Sequence, residues 1–402
     1  MTVKSKVVIV KCDSYDQEEV NSAIKRGIDY LGGAGCFASQ NESILLKPNV
    51  LWGTDPRQCV VTHPSVFKAV ALQFRESGAR LFYGDSPGGI QPAIGALKKS
   101  GFHQIAEELG IVQGEFDRGR MVSFSEGVSS KILYIAEAVL DSDGVVSLPK
   151  LKTHGLTRMT GAVKNQYGCV PGMTKGEYHA RFPEIYEFSQ LLVDITRFVK
   201  ARLYVMDAVY AMEGNGPQSG DPKKIGAILL STDPVAIDSV ACRIIDLDPS
   251  FVPPLKIGAQ CGLGHTLDEQ IELIGDPIES FIDKSFRVVR SAPVKVPNTR
   301  LLRELKRHFS PRPVIDSKSC TGCRRCEQVC PVNPKAVAVR GKGKVPTFDY
   351  RQCIRCFCCH EMCPSRAIHI RTPLLKKIFP FASYLSLFIT SIYSKMQKKV
   401  NG

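Results

Sequence analysis

Two stretches near the C-terminus carry the same arrangement of thiols: Cys320, Cys323, Cys326 and Cys330 followed by Pro331, then Cys353, Cys356, Cys359 and Cys363 followed by Pro364. Each reads C-x2-C-x2-C-x3-C-P, a spacing suited to iron–sulfur chemistry. Three thiolates on a tight loop wrap one corner of a cluster, while the fourth, held by its Pro turn, reaches the cluster of the other repeat. Four-cysteine zinc sites usually pair two separated C-x2-C knuckles and need no third regularly spaced thiol. Zinc or simple disulfides are therefore the weaker uses of these residues. The expected cofactors are two [4Fe–4S] clusters, one on Cys320, Cys323, Cys326 and Cys363, the other on Cys353, Cys356, Cys359 and Cys330. Cys358 belongs to neither set.

A second concentration of chemistry lies earlier, in the run from Leu148 to Gly172. Lys150, Lys152, His154, Arg158 and Lys164 are interleaved there with Gly155, Gly161 and Gly168, and Lys175 and His179 follow shortly after. Two residues apart in a continuing strand, Lys150 and Lys152 would point the same way. Converging cations with glycines that permit close backbone approach suit a phosphate- or carboxylate-bearing substrate; a solvated loop is the plainer alternative. The candidate catalytic residues are His154, Lys152 and Lys164, with His154 placed to supply protons. Lys47, Asn49, Asp85, Lys150, Asn165, Glu213 and Asn215 are the candidate substrate-binding residues. His154 and His179 could instead ligate a metal with Asp85 or Glu213, but no H-x3-H or H-E-x2-H spacing supports it. Asp233 and Asp238 divide between a helix-start role, since Pro234 follows Asp233, and a site role. Gly32-Gly33-Ala34-Gly35 follows a helix-like stretch and no Walker A string exists, so direct use of NAD or ATP is not expected.

The elements that must position these residues form an α/β pattern. Short apolar runs at Val7–Val10, Ile44–Leu46, Arg80–Tyr83, Gly144–Leu148, Leu203–Met206 and Ala227–Leu230 alternate with helical stretches such as Pro64–Ser77 and Phe188–Val199. Such alternation predicts a mostly parallel sheet flanked by helices over residues 1–290, with ligands outside the carboxyl ends of the strands. Residues 291–313 read as a linker and 314–372 as a small α+β module. In that module Ala336–Val339 and Ala367–Ile370 repeat a β-prone run after each C-P turn, on the pseudo-twofold plan of a bacterial ferredoxin. Residues 373–402 form a basic tail. Within it Ile378–Tyr393 carries no charge, contains Pro380, and is shorter than the ~20 residues a bilayer span needs. Its serines and apolar residues recur at helical spacing between lysines. An amphipathic helix on an anionic membrane surface, or one docked on protein, fits that pattern.

The strings Lys47-Pro48-Asn49, Pro149-Lys150-Leu151-Lys152-Thr153-His154, Val163-Lys164-Asn165, Glu213-Gly214-Asn215-Gly216-Pro217 and Asp233-Pro234-Val235-Ala236-Ile237-Asp238, taken with the cysteine repeat, resemble the DUF362 family in its version fused to a two-cluster ferredoxin domain. The resemblance covers roughly residues 5–290. It implies this domain layout and a redox association, and supplies no substrate.

Charge is unevenly spread. The chain of 402 residues has a formal net charge of +14, and residues 300–402 hold 21 Lys and Arg against 5 Asp and Glu. The basic character thus belongs to the cysteine module and tail, where it can offset cluster charge and attract acidic partners or anionic lipid. Nucleic acid is not an expected partner, because no reading motif accompanies the charge. The N-terminus has only a short apolar run before Lys11, so export is not expected, and the cysteine content points to a reducing cytoplasm, with peripheral attachment at the inner face of the membrane as an extension. The leading expectation is an iron–sulfur oxidoreductase that takes electrons from a protein partner and passes them to an anionic small molecule. A non-enzymatic carrier or membrane-peripheral adaptor, and a metallocofactor assembly factor, are the alternatives.

Overall fold

The computed structural model describes residues 4–293, 310–341 and 344–372. The expected tail helix and most of the expected linker lie outside the described residues. One ten-stranded sheet organises the large domain, in the order Ile271–Gly275, Ser5–Lys11, Asp221–Ser231, Leu203–Glu213, Gly144–Leu148, Ser43–Pro48, Arg80–Tyr83 and Val112–Gln113. Lys150–His154 extends the sheet along Leu203–Glu213 and pairs antiparallel with Arg158–Thr160. Along the main order only Asp221–Ser231 runs against its neighbours, so the sheet is mostly parallel, as the alternation predicts.

Both faces of this sheet are covered, and the period of two along a strand divides each strand's side chains between two cores. Ile9, Leu45, Val145 and Leu229 enter one, together with residues of the helices Ile185–Val199 and Pro234–Ile244. Val10, Ile44, Val146 and Leu230 enter the other, against the helices Gln17–Tyr30 and Pro64–Glu76. Near-continuous apolar runs such as Val7 to Val10 follow from this double burial.

The cysteine module is built from the strand pair Arg312–Ile315 with Ile368–Arg371, the pair Val337–Ala338 with Thr347–Phe348, and two one-turn helices, Arg325–Gln328 and Cys358–Glu361. Each helix lies inside one cysteine repeat, which reproduces the sequence repeat in three dimensions.

Lys150 and Lys152 share a face of their strand, and that face looks inward. The Lys150 ammonium lies 2.8 Å from Asp207 Oδ2 and 2.7 Å from the Tyr15 hydroxyl, with both charged side chains fully buried. Tyr15 in turn donates to Asp207 Oδ1 at 2.9 Å and stacks on His63 at 3.6 Å between centroids. The backbone N–H of His63 closes the set on Asp207 Oδ2. Removing one member of such a pair leaves the other charge buried and uncompensated. Asp207→Ala is therefore expected to lower stability by about 3–5 kcal/mol, measured by urea unfolding. The double variant Lys150→Met/Asp207→Leu should recover much of that loss; equal losses would refute the pairing.

Candidate functional site

The carboxyl ends of the parallel strands meet the cysteine module at a seam, and a cavity of about 740 Å³, counting its mouth, opens there. From the large domain it is lined by Asn49, Asp85, Lys164, Asn165, Lys175 and His179, and from the cysteine module by Val329, Cys358, Glu361 and Met362. Asn49 and Asp85 sit just past the ends of Ser43–Pro48 and Arg80–Tyr83, where the fold class places ligands. Lys164 and Asn165 come from the short helix Ala162–Asn165, whose first N–H groups, on Ala162 and Val163, are accepted by Asp238 at 2.6 and 3.1 Å. Asp233 caps its own helix by accepting from Val235 and Ala236. Asp233 thus takes the helix-start role, whereas Asp238 lies within that helix and caps the start of Ala162–Asn165 instead.

Behind the lining lies a layer of hydrogen bonds that sets its geometry. Lys47 Nζ pairs with Asp85 Oδ1 at 2.8 Å and donates to the Asn165 carbonyl at 2.6 Å. Lys152 Nζ donates to Asn49 Oδ1 and to the Val60 carbonyl, both at 2.7 Å. Asn49 Nδ2 then reaches Asn165 Oδ1 at 3.2 Å, and Asn165 Nδ2 donates to Ser147 Oγ at 2.9 Å. The two lysines therefore hold up the floor of the cavity instead of lining it. Gly168 completes that floor: a Cβ there would stand 1.9 Å from Asp85 Oδ1 and 2.6 Å from Lys47 Nζ, so the position admits no side chain without moving the ion pair.

The cavity is cationic and incompletely neutralised. Among the described residues Lys164 has no hydrogen-bond or ion-pair partner, and its ammonium lies 5.9 Å from the Tyr167 ring centroid. Burial lowers its pKa from the ordinary lysine value, while the charge of Glu361 acts in the opposite sense. Lys175 donates to the carbonyls of Ser86 and Pro87 and to Ser86 Oγ, all neutral acceptors. Burial brings its pKa down to about 7, partly offset by Asp85. His179 is stacked on Phe188 at 4.2 Å and is held to about 4, again by burial first.

Glu361, from the cysteine module, is the carboxylate facing these cations. Its Oε1 lies 3.1 Å from His154 Nε2, outside hydrogen-bond alignment, so each atom is buried without a hydrogen-bond partner. Burial works to raise the Glu361 carboxyl, but contact with His154 and the charge of Lys164 hold it well below the usual range. His154 Nδ1 accepts the backbone N–H groups of Leu156 and Thr157 at 3.0 and 3.2 Å. That leaves the ring neutral with its proton on Nε2, consistent with a pKa lowered to about 4 by burial and by Lys164.

Of the residues singled out in the sequence, Asn49, Asp85, Lys164 and Asn165 meet in the cavity, Lys47 and Lys152 support it, and His154 reaches it through Glu361. Lys150 does not belong to it, being enclosed with Asp207 and Tyr15. Glu213 lies elsewhere too, because the strand expected to stop at Met206 runs on to Glu213, whose carboxylate takes two bonds from Arg287. Asn215 serves the seam: Oδ1 lies 3.0 Å from His360 Nε2 and Nδ2 lies 3.3 Å from His369 Nδ1. Cys169 is buried in the core beside Gln166. Sequence reasoning missed Cys358, Glu361 and Met362 as cavity residues. The available signal was their place inside the second repeat, where Arg325, Gln328 and Val329 occupy the corresponding positions of the first.

The thiols of the module gather as two groups of four. One space is lined by Cys320, Cys323, Cys326 and Cys363, the other by Cys330, Cys353, Cys356 and Cys359, so each space takes its fourth cysteine from the other repeat. Among the described residues no three His, Cys, Asp or Glu converge closely enough for a single metal ion. Four sulfurs standing around a space, with apolar Ile315, Ala367 and Ile368 or Val337, Phe348 and Ile354 between them, match the needs of a polynuclear cluster. None of the fifteen cysteines is paired in a disulfide.

The family described as a domain of unknown function, DUF362, matches residues 44–243, and a 4Fe-4S dicluster domain matches residues 312–364. A thylakoid-associated protein of Synechocystis sp. is 33% identical over 308 residues, covering 76% of this chain and 95% of its own length. Among solved structures, the lactate racemase apoprotein from Thermoanaerobacterium thermosaccharolyticum overlaps with a TM-score of 0.39 at 11% identity, over 60% of this chain and 56% of its own. A Thermotoga maritima protein solved by structural genomics gives 0.33 at 11% identity, over 62% and 60%. The chain thus spans less than two thirds of the length of either structure. With its strand-end motifs, its thiol quartets and a relative matched over most of both chains, the protein belongs to the DUF362 family, in a form that carries a C-terminal domain binding 4Fe-4S clusters.

Proposed function

We propose that this protein is an iron–sulfur oxidoreductase whose substrate is a small anion held in the seam cavity. The observation that carries the reading is the composition of that cavity: an unpaired Lys164 and a half-neutralised Lys175 from one domain face Cys358 and Glu361 from the helix that lies between cluster-ligand positions of the other. Cys320, Cys323, Cys326 and Cys363 would hold one [4Fe–4S] cluster and Cys353, Cys356, Cys359 and Cys330 a second, and when bound these supply one electron each. Cavity residues adjoin ligand positions of both quartets, Cys358 beside Cys359 and Val329 beside Cys330 of the second, Met362 beside Cys363 of the first. Lys164 binds the anion. Asn49 and Asn165, locked to each other and to Lys152, orient it. Lys175, with a pKa of about 7, is matched to giving up a proton at neutral pH as negative charge develops on the substrate. His154 keeps its one proton on Nε2 and positions Glu361.

Three outcomes follow. Small molecules released from anaerobically purified protein should include a carboxylate or phosphate compound that reoxidises the dithionite-reduced protein, and the Lys164→Gln variant should lack it while keeping the visible absorbance of its clusters. Retention of no anion, or of one that leaves the reduced protein unchanged, sinks the reading. Sulfate, whose charge is constant near neutrality, should bind about ten-fold more weakly at pH 8 than at pH 6, because Lys175 loses its proton between them. Lys175→Met should flatten that dependence in calorimetric titrations.

A second reading, that the protein works at a membrane surface, is favoured by the name of its thylakoid-associated relative. No helix among the described residues is long and apolar enough to cross a membrane. Surface attachment would rest on residues 373–402. The full chain should then sediment with phosphatidylglycerol vesicles, and a chain ending at Thr372 should stay in the supernatant; equal sedimentation of the two excludes it.

A further inference from the structure

A second opening adjoins the cavity along the seam, over the first cysteine repeat, and shares Val329 and Met362 with it. Trp52 and Ile90 of the large domain form one wall, Arg325, Gln328 and Val329 the other, and Lys99 closes one end. The Arg325 guanidinium lies 4.2 Å from the Trp52 ring centroid. Ile90 is 61% exposed, an apolar side chain left to solvent at the rim. Among the described residues no carboxylate lines the groove, and Lys98 stands exposed beside Lys99 in the last turn of the helix Ala93–Lys99. Arg324, next to Arg325, is also exposed, as is Cys323 of the first quartet.

The internal repeat gives this groove its meaning. Arg325, Gln328 and Val329 are the counterparts of Cys358, Glu361 and Met362, so the helix of the first repeat faces the groove as that of the second faces the cavity. Where the cavity side carries a thiol and a carboxylate, the groove side carries a cation, an amide and an apolar rim. A cavity holding incompletely paired cations suits a small anion; an apolar groove bordered by exposed like charges suits a protein surface of the opposite sign.

We propose that this groove is the docking surface for a small acidic electron-transfer protein that delivers electrons to the module through a different opening from the one that holds the substrate. Lys98, Lys99 and Arg325 steer the acidic carrier, and Trp52 and Ile90 supply the apolar contact that seats it. In the transfer one electron leaves the carrier, which is oxidised, and one [4Fe–4S] cluster is reduced by it; no bond forms or breaks in either protein.

The test uses the cluster-loaded full chain and a reduced acidic flavodoxin as the carrier, with cluster bleaching followed by stopped flow. The rate constant should fall steeply as salt is raised, and Lys98→Glu/Lys99→Glu, which lies outside the cysteine loops, should lower it at least ten-fold at low salt. Ile90→Ser should lower it several-fold without changing the salt dependence. Reduction by methyl viologen radical, which needs no docking surface, should fall less than two-fold in both variants, and sulfate binding at Lys164 should be unchanged, which separates this proposal from the one above. A wild-type rate indifferent to salt, or a charge-reversed variant as fast as wild type with flavodoxin, overturns it.

Discussion

Charge taken out of water must be answered nearby, and much of this structure follows from how five lysines are answered. Lys47 and Lys150 have carboxylates, Asp85 and Asp207, and form closed pairs. Lys152 and Lys175 have only neutral oxygens. Lys164 has no hydrogen-bond or ion-pair partner among the described residues, only the Tyr167 ring at 5.9 Å. Desolvation without full compensation leaves a positive field at the strand ends, and the large domain does not cancel it by itself. Glu361, from the cysteine module, points into that field. The same electrostatic demand thus shapes the cavity and helps fasten the two domains, with the bonds of Asn215 to His360 and His369 at its edge.

Much of this was legible in the amino-acid sequence. The cysteine repeat dictates its chemistry because ligand spacing on a tight loop is a local property, and the quartets assemble as that spacing implies. Strand ends were legible for the same reason: doubly buried strands are written as apolar runs, and the polar residues that follow them must lie along one edge of a parallel sheet. Partners were harder. Lys150 and Lys152 do share a face, but whether it looks toward a ligand or toward Asp207, Tyr15 and Val60 depends on residues distant in the chain. Leu203 to Glu213 read as a shorter strand because Asp207 interrupts its apolar run, and a buried aspartate becomes intelligible only once Lys150 is seen against it. Cys358 and Glu361 were hidden differently. Repeat spacing says how a loop wraps its ligands, but not which side of the loop meets another domain.

The internal duplication of the module has been used asymmetrically. The two one-turn helices pack against each other in one small core, one giving Cys358 and Glu361 to the cavity and the other Arg325 and Gln328 to the groove. Substitutions at corresponding positions, Arg325 against Cys358 and Gln328 against Glu361, account for the difference without any change in the loops that carry the thiols. Function here diverges by surface chemistry on a scaffold that ligand geometry holds constant.

Val329 and Met362 line both the groove and the cavity, and both are buried. Met362 packs so tightly on the opposite loop that a Cβ at Gly88 would lie 2.5 Å from its terminal methyl. Two apolar side chains, each preceding a cysteine ligand position, therefore form a thin septum between the two openings. A hydrocarbon septum bars water, protons and ions, which would have to shed their hydration to pass. An electron needs no such passage, so the barrier these two side chains set between the openings acts on hydrated species alone.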